Sequence, residues 1–122
     1  MCVILNSMEV QPLKIQIYLL EDQSSPFETW LDSLRDQDGK SRVRLRLRRI
    51  LLGNLGDYKS VGDGVYEFRI KTGPGYRVYF GIIGGSIILL LCGGDKGSQD
   101  RDILKAKEYW SRYENNSNAD GP

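Results

Sequence analysis

Two short segments place chemistry-bearing side chains at alternating positions: Tyr66-Glu67-Phe68-Arg69 and Tyr76-Arg77-Val78-Tyr79. A guanidinium is permanently charged, and its planar fork matches the oxygens of a phosphate. Glu67 is spaced to hold such a group or to accept a proton. Tyr79 can stack on a base or hydrogen-bond a phosphate. Lys71 follows Arg69 at the same strand end, and Lys96 stands just beyond a later apolar run. A basic run, Lys40–Arg49, contributes Arg42, Arg46 and Arg49, which suit either a solvated helix face or the contact surface of an anionic partner.

The chain contains no histidine. A Ser-His-Asp triad, a Cys-His pair and a histidine general base are therefore excluded. Its two cysteines, Cys2 and Cys92, form no metal-ligand spacing and no disulfide framework. No metal or other cofactor is expected. Any catalysis would run on lysine, arginine, tyrosine or carboxylates.

The formal net charge of +1 conceals a split. Residues 9–39 carry two basic and seven acidic groups, a net of −5, whereas residues 40–97 carry eleven basic and four acidic, a net of +7. A positive middle can present a positive face even on a nearly neutral protein, because anion binding depends on local potential. The 122 residues suffice for one domain. No apolar run approaches a membrane span, and the cysteine usage fits a reduced cytoplasmic protein.

These side chains need elements to position them. Val10–Leu20 alternates and predicts a strand, preceded by an extension over 1–9 that is expected to be flexible, with Met8 an alternative start. Ser25-Pro26-Phe27-Glu28 predicts a helix start, with Phe27, Trp30, Leu31 and Leu34 on one face. Residues 42–48 alternate like a strand, yet Val43, Leu47, Ile50, Leu51 and Leu55 hold helical spacing. The segment is read as a helix capped by Asp38 or Ser41, joined to the first by Asp36–Lys40. Val65–Lys71 and Tyr76–Ile82 predict a hairpin, and Gly84-Gly85 turns into an apolar inner strand, Ile87–Cys92. A last helix is expected from Asp100 to about Tyr113, with Ile103, Ala106, Trp110 and Tyr113 inward, followed by a disordered tail over 114–122.

Opposed residues of a hairpin share a face, so apolar must oppose apolar. A tighter loop pairing Lys71 with Tyr76 would set Arg69 opposite Val78, whereas pairing Ile70 with Tyr76 repairs this. Phe68 then meets Val78, Tyr66 meets Phe80, Glu67 meets Tyr79, and Arg69 stands opposite Arg77. Two opposed arginines imply either a surface ladder neutralised by Glu67 and water or an open anion-binding face.

The segments Gly75-Tyr76-Arg77-Val78-Tyr79-Phe80, Leu90-Leu91-Cys92-Gly93-Gly94-Asp95-Lys96 and Ala106-Lys107-Glu108-Tyr109-Trp110, in this order, resemble the RelE/ParE toxin superfamily, in particular its HigB-like addiction module killer branch. The likeness spans roughly residues 10–113. It implies an α+β fold: an N-terminal strand and helical hairpin on a mostly antiparallel twisted sheet of about four to five strands, closed by a C-terminal helix. It implies a cytoplasmic type II toxin that cuts mRNA on the ribosome and is silenced by a cognate antitoxin, often a helix-turn-helix protein. Arg69, Arg77 and Lys96 match the basic residues placed around the scissile phosphate in RelE-like members. On that basis Arg77 would clamp the phosphate, Arg69 would support its developing charge and Lys96 would serve as acid or base. Glu67 would be the base or, preferably, the holder of the arginines. Lys71, Tyr79, Arg42, Arg46 and Arg49 would contact RNA. The stretch Gly97–Ile103 lacks the tyrosine of RelE, which leaves a ParE-like gyrase inhibitor or an inactive binding homologue as alternatives.

Overall fold

A computed structural model describes residues 12–120 of the chain. The extension over 1–9 and the start at Met8 lie outside the described residues. Strand β1 (Lys14–Ile17) leads to helices α1 (Pro26–Ser33) and α2 (Gln37–Leu51). Strands β2 (Lys59–Gly62), β3 (Val65–Ile70), β4 (Tyr76–Ile83) and β5 (Ile87–Gly94) follow, and helix α3 (Gln99–Asp120) closes the chain. The fold is α+β. Its single five-stranded sheet has the order β1-β5-β4-β3-β2 and is mixed: β1 runs parallel to β5, and all other pairs are antiparallel. No helix among the described residues is long and apolar enough to cross a membrane.

Local chemistry accounts for the helix starts. Ser25 Oγ accepts from the Glu28 N–H at 3.0 Å, with Pro26 at the first helical position. The second helix begins earlier than expected. Asp36 Oδ1 takes the Gly39 N–H at 3.0 Å, so Asp36 is the cap in place of Asp38 or Ser41, and the interhelical link is shorter. A carboxylate outside the first turn satisfies otherwise orphaned donors and is worth about 1 kcal/mol. The alternation over 42–48 yields to this start. Val43 and Ile50 are buried while Leu45 faces out.

The β3–β4 register is the one the apolar faces demand: Ile70 with Tyr76, Phe68 with Val78, Tyr66 with Phe80, Glu67 with Tyr79 and Arg69 with Arg77. One side of the sheet packs Phe68, Val78, Phe80, Ile88 and Leu90 under α1 and α2. The other packs Val65, Tyr79, Leu89 and Leu91 under Ala106 and Trp110 of α3. Each layer is fitted to the sheet by an indole over a glycine. Trp110 lies where a Cβ of Gly81 would project, and Trp30 where one of Gly93 would. Helix α3 continues through Glu114 to Asp120, so the segment expected to be a disordered tail is helical up to that residue.

Candidate functional site

Glu67 is the hub of the polar cluster. Strand periodicity puts it on the same side as Arg69, and pairing brings Lys59, Arg77 and Tyr79 around it. Its side chain has no exposure. Arg69 Nε donates to Oε1 at 2.9 Å, and Gln99 Nε2, from the first turn of α3, donates to Oε2 at 3.0 Å. Arg77 Nε lies 3.8 Å from Oε2 and Lys59 Nζ 3.9 Å from Oε1. Burial alone raises the carboxyl pKa; the Arg69 and Gln99 hydrogen bonds and the charges of Arg69 and Lys59 outweigh it and hold the group below its ordinary range. Such a carboxylate is a poor proton acceptor and a firm anchor.

The two opposed arginines differ in access. The Arg69 side chain is 44% exposed, whereas that of Arg77 is 7% exposed. Strand β4 is the middle of five, and Arg77 lies between Arg69 on β3 and Gly94 on β5. Its Nη1 donates to the Gly75 carbonyl at 2.9 Å. The expected open clamp of two guanidiniums is therefore corrected: Arg77 is sealed and backs Glu67. Strand β2 pairs with β3 only over Val65–Glu67, which leaves the strand end at Arg69 uncovered.

Tyr79 is a second correction. It is fully buried, packed with Val65, Leu91, Ala106 and Trp110, and cannot stack on a base. Its Oη faces Glu67 without a hydrogen-bond partner; burial, followed by the Glu67 charge, pushes the phenol pKa far up. The expectation of an open face missed α3 lying across this part of the sheet. Lys96 is exposed and begins a short 3-10 turn, Lys96–Ser98; it lines a second cleft with Gly97–Arg101, and its Cβ and Arg77 Nη1 both border the space beside Gly75.

The remaining candidates converge. A groove of about 720 Å³ between α2 and the β2–β3 edge is lined by Arg42, Arg46, Arg49, Lys59, Arg69 and Lys71, with Glu67 in its wall. Arg42, Arg46 and Arg49 share one helix face at i, i+4 and i+7. Arg46 is a strut. Its Nη2 donates to the carbonyls of Leu55 at 3.1 Å and Asp57 at 2.6 Å, and its Nη1 to that of Arg69 at 3.4 Å. Its guanidinium also lies 4.7 Å above the Phe68 ring. Gly56, at φ +72°, permits this approach, since a Cβ there would come within 2.9 Å of Arg46 Nη2. Arg42 pairs with Asp38 at 3.0 Å in an exposed i,i+4 bridge of little energetic weight. Arg49 and Lys71 are exposed.

Lys59, Tyr58 and Gln99 belong to the site and were not expected from the sequence. Asp63-Gly64, a hairpin turn signal between Lys59–Gly62 and Val65–Ile70, was the cue for β2. Among the described residues no group of three His, Cys, Asp or Glu side chains can hold a metal ion.

No protein-family model matches the chain. An uncharacterized protein of Haemophilus influenzae strain Rd is 48% identical over 81 residues, which is 66% of this chain and 82% of that protein. The chain belongs to the same family as this Haemophilus influenzae protein.

Proposed function

We propose that the chain is a toxin of a type II toxin–antitoxin module, RelE-like in fold and HigB-like in branch, that grips mRNA in the basic groove and cuts it on the ribosome. One observation carries the reading: six positive side chains, from α2, β2, β3 and the turn after β3, line a single groove, and a buried carboxylate holds the exposed Arg69 within it. Nucleic-acid affinity rests on cations tracking the phosphate backbone. In self-cleavage of RNA, the 2′-OH gives up its proton and its oxygen bonds to the adjacent phosphorus; negative charge gathers on the phosphoryl oxygens, and the bond to the 5′-oxygen then breaks, leaving a 2′,3′-cyclic phosphate and a 5′-hydroxyl that has taken up a proton. A fixed guanidinium aimed at that charge lowers the barrier without reorganising. Arg69 takes this role, with Lys59 and Lys71 beside it. Glu67, backed by Arg77, positions Arg69 and leaves proton transfer to other groups. A helix-turn-helix antitoxin with acidic or apolar groups would silence the toxin by covering the groove.

A second reading, an inhibitor that binds without cutting, draws on the burial of Arg77 and Tyr79 in a chain without histidine. Expression of the chain alone, and together with the product of the adjacent reading frame, separates the two when RNA 5′ ends are mapped. New ends within translated messages that vanish on co-expression and with Arg69→Ala are expected. Growth arrest with DNA damage and no new ends would replace the reading with a gyrase-directed one.

A further inference from the structure

Positive charge does not account for the whole groove wall. Leu45 of α2 and Tyr58 of the α2–β2 connection also line it, each 46% exposed. The Tyr58 ring is braced from behind. It meets Tyr66 edge-on, with centroids 5.7 Å apart at 75°, and leans on Phe80 at 5.9 Å and 59°. Both supporting rings stand on the central part of the sheet, and Phe80 is fully buried. The exposed side of Tyr58 is thus presented with little rotamer freedom left to lose on binding. The next residue, Lys59, reaches Oε1 of Glu67, the same oxygen that receives Arg69 Nε. Aromatic surface and phosphate-binding cations therefore adjoin along the chain.

A duplex offers phosphates to such a wall and keeps its base faces stacked inside. A single strand offers both, and base-on-aromatic stacking tolerates any sequence because every base has a π-face. We infer that Tyr58 is a nucleobase-stacking platform, and that the groove accepts single-stranded RNA with a base on Tyr58 and phosphates on Lys59, Arg69 and Lys71. This rests on the RNA reading above and adds to it a recognition residue and a preference for unpaired strands.

The test uses the full chain and a fluorescein-labelled, 2′-O-methylated oligoadenylate, which cannot be cut, beside a blunt 2′-O-methyl duplex of equal length. The single strand is expected to bind more tightly at matched salt. Tyr58→Ala is expected to weaken single-strand binding by about 5- to 150-fold, the range of one lost stacked base, and to leave the salt dependence unchanged. Tyr58→Phe should retain affinity. Tyr58→Leu, which keeps apolar packing against Tyr66 and Phe80, should lose it while holding the wild-type unfolding midpoint. Equal binding of duplex and single strand would overturn the inference, as would wild-type affinity in both the Ala and Leu variants. Full translation arrest by Tyr58→Ala would sink the platform and spare the toxin reading. Tyr58-dependent binding by a chain that leaves translation and messages intact would do the reverse.

Discussion

Arg69 and Arg77 face each other across one pair of strands, on the same side of the sheet, yet one meets solvent and the other does not. The difference arises from their neighbours. Arg69 stands where β3 has outrun its partner β2, at the rim of the groove. Arg77 stands on the middle strand, between β3 and β5. Pairing decides which side chains are adjacent; strand order and the overlying helix decide which of them can touch a ligand. The rim holds the binding surface, and the centre holds the scaffold that aims it.

The largest effect is expected where the centre is breached. Gly81→Ala sets a methyl against the Trp110 ring, and overpacking of this kind costs about 3 kcal/mol. Urea denaturation should show the loss, with hydrogen exchange rising along α3. An unchanged midpoint would mean that α3 does not seal Tyr79. Glu67→Gln comes next, because it strips the shared anion from Arg69, Arg77 and Lys59 and weakens the charge-assisted hydrogen bond from Arg69, at about 2 kcal/mol. The folded carboxyl titrates below its ordinary value. Its contribution is therefore complete above the ordinary carboxylate range and fades as pH falls through the folded value. Denaturation across an acid pH series should show that slope in the wild type and a shallower one in Glu67→Gln.

The arginines themselves should separate. Arg77→Ala is expected to cost about 1.5 kcal/mol of stability, by orphaning the Gly75 carbonyl and weakening the support of Glu67, while single-strand affinity of the folded protein holds. Arg69→Ala is expected to weaken RNA binding about tenfold and flatten its salt dependence by about one phosphate contact, and also to lower stability by about 1.5 kcal/mol, because it takes the 2.9 Å hydrogen bond from the buried Glu67 carboxylate. A reversal of these two binding phenotypes would exchange the roles of rim and centre. Tyr79→Phe should be the mildest change. Its hydroxyl is buried without a partner, so stability should stay within about 1 kcal/mol and binding should not move. Lost RNA affinity in this variant would return Tyr79 to the surface.

Alternation carried most of the legible structure. The hairpin register followed from matching apolar faces, and it put Glu67, Arg69, Arg77 and Tyr79 side by side. The Ser25 start and the inner strand at Ile87 were equally readable, since each rests on local chemistry. Depth was not. Arg77 and Tyr79 alternate like solvent-facing residues; Arg77 is enclosed by its place on the middle strand, and Tyr79 is covered by a helix that begins some twenty residues later in the chain. Strand β2 is four residues long and only half-buried, too brief for a periodic signal, so Lys59 and Tyr58 went unnoticed. The convergence of Arg42 and Arg49 with Lys71 depends on how α2 crosses the sheet edge, a tertiary relation that periodicity does not encode.

The Arg46 strut bears on self-association. Where β3 extends past β2, its outward carbonyls would form a ready template for a strand from another copy. The Arg69 carbonyl is instead claimed by Arg46 from within the same molecule, and the bulky positive group above it repels a neighbour bearing the same charge. One side chain thus occupies an edge carbonyl that a foreign strand would need, at a strand end left open for a ligand.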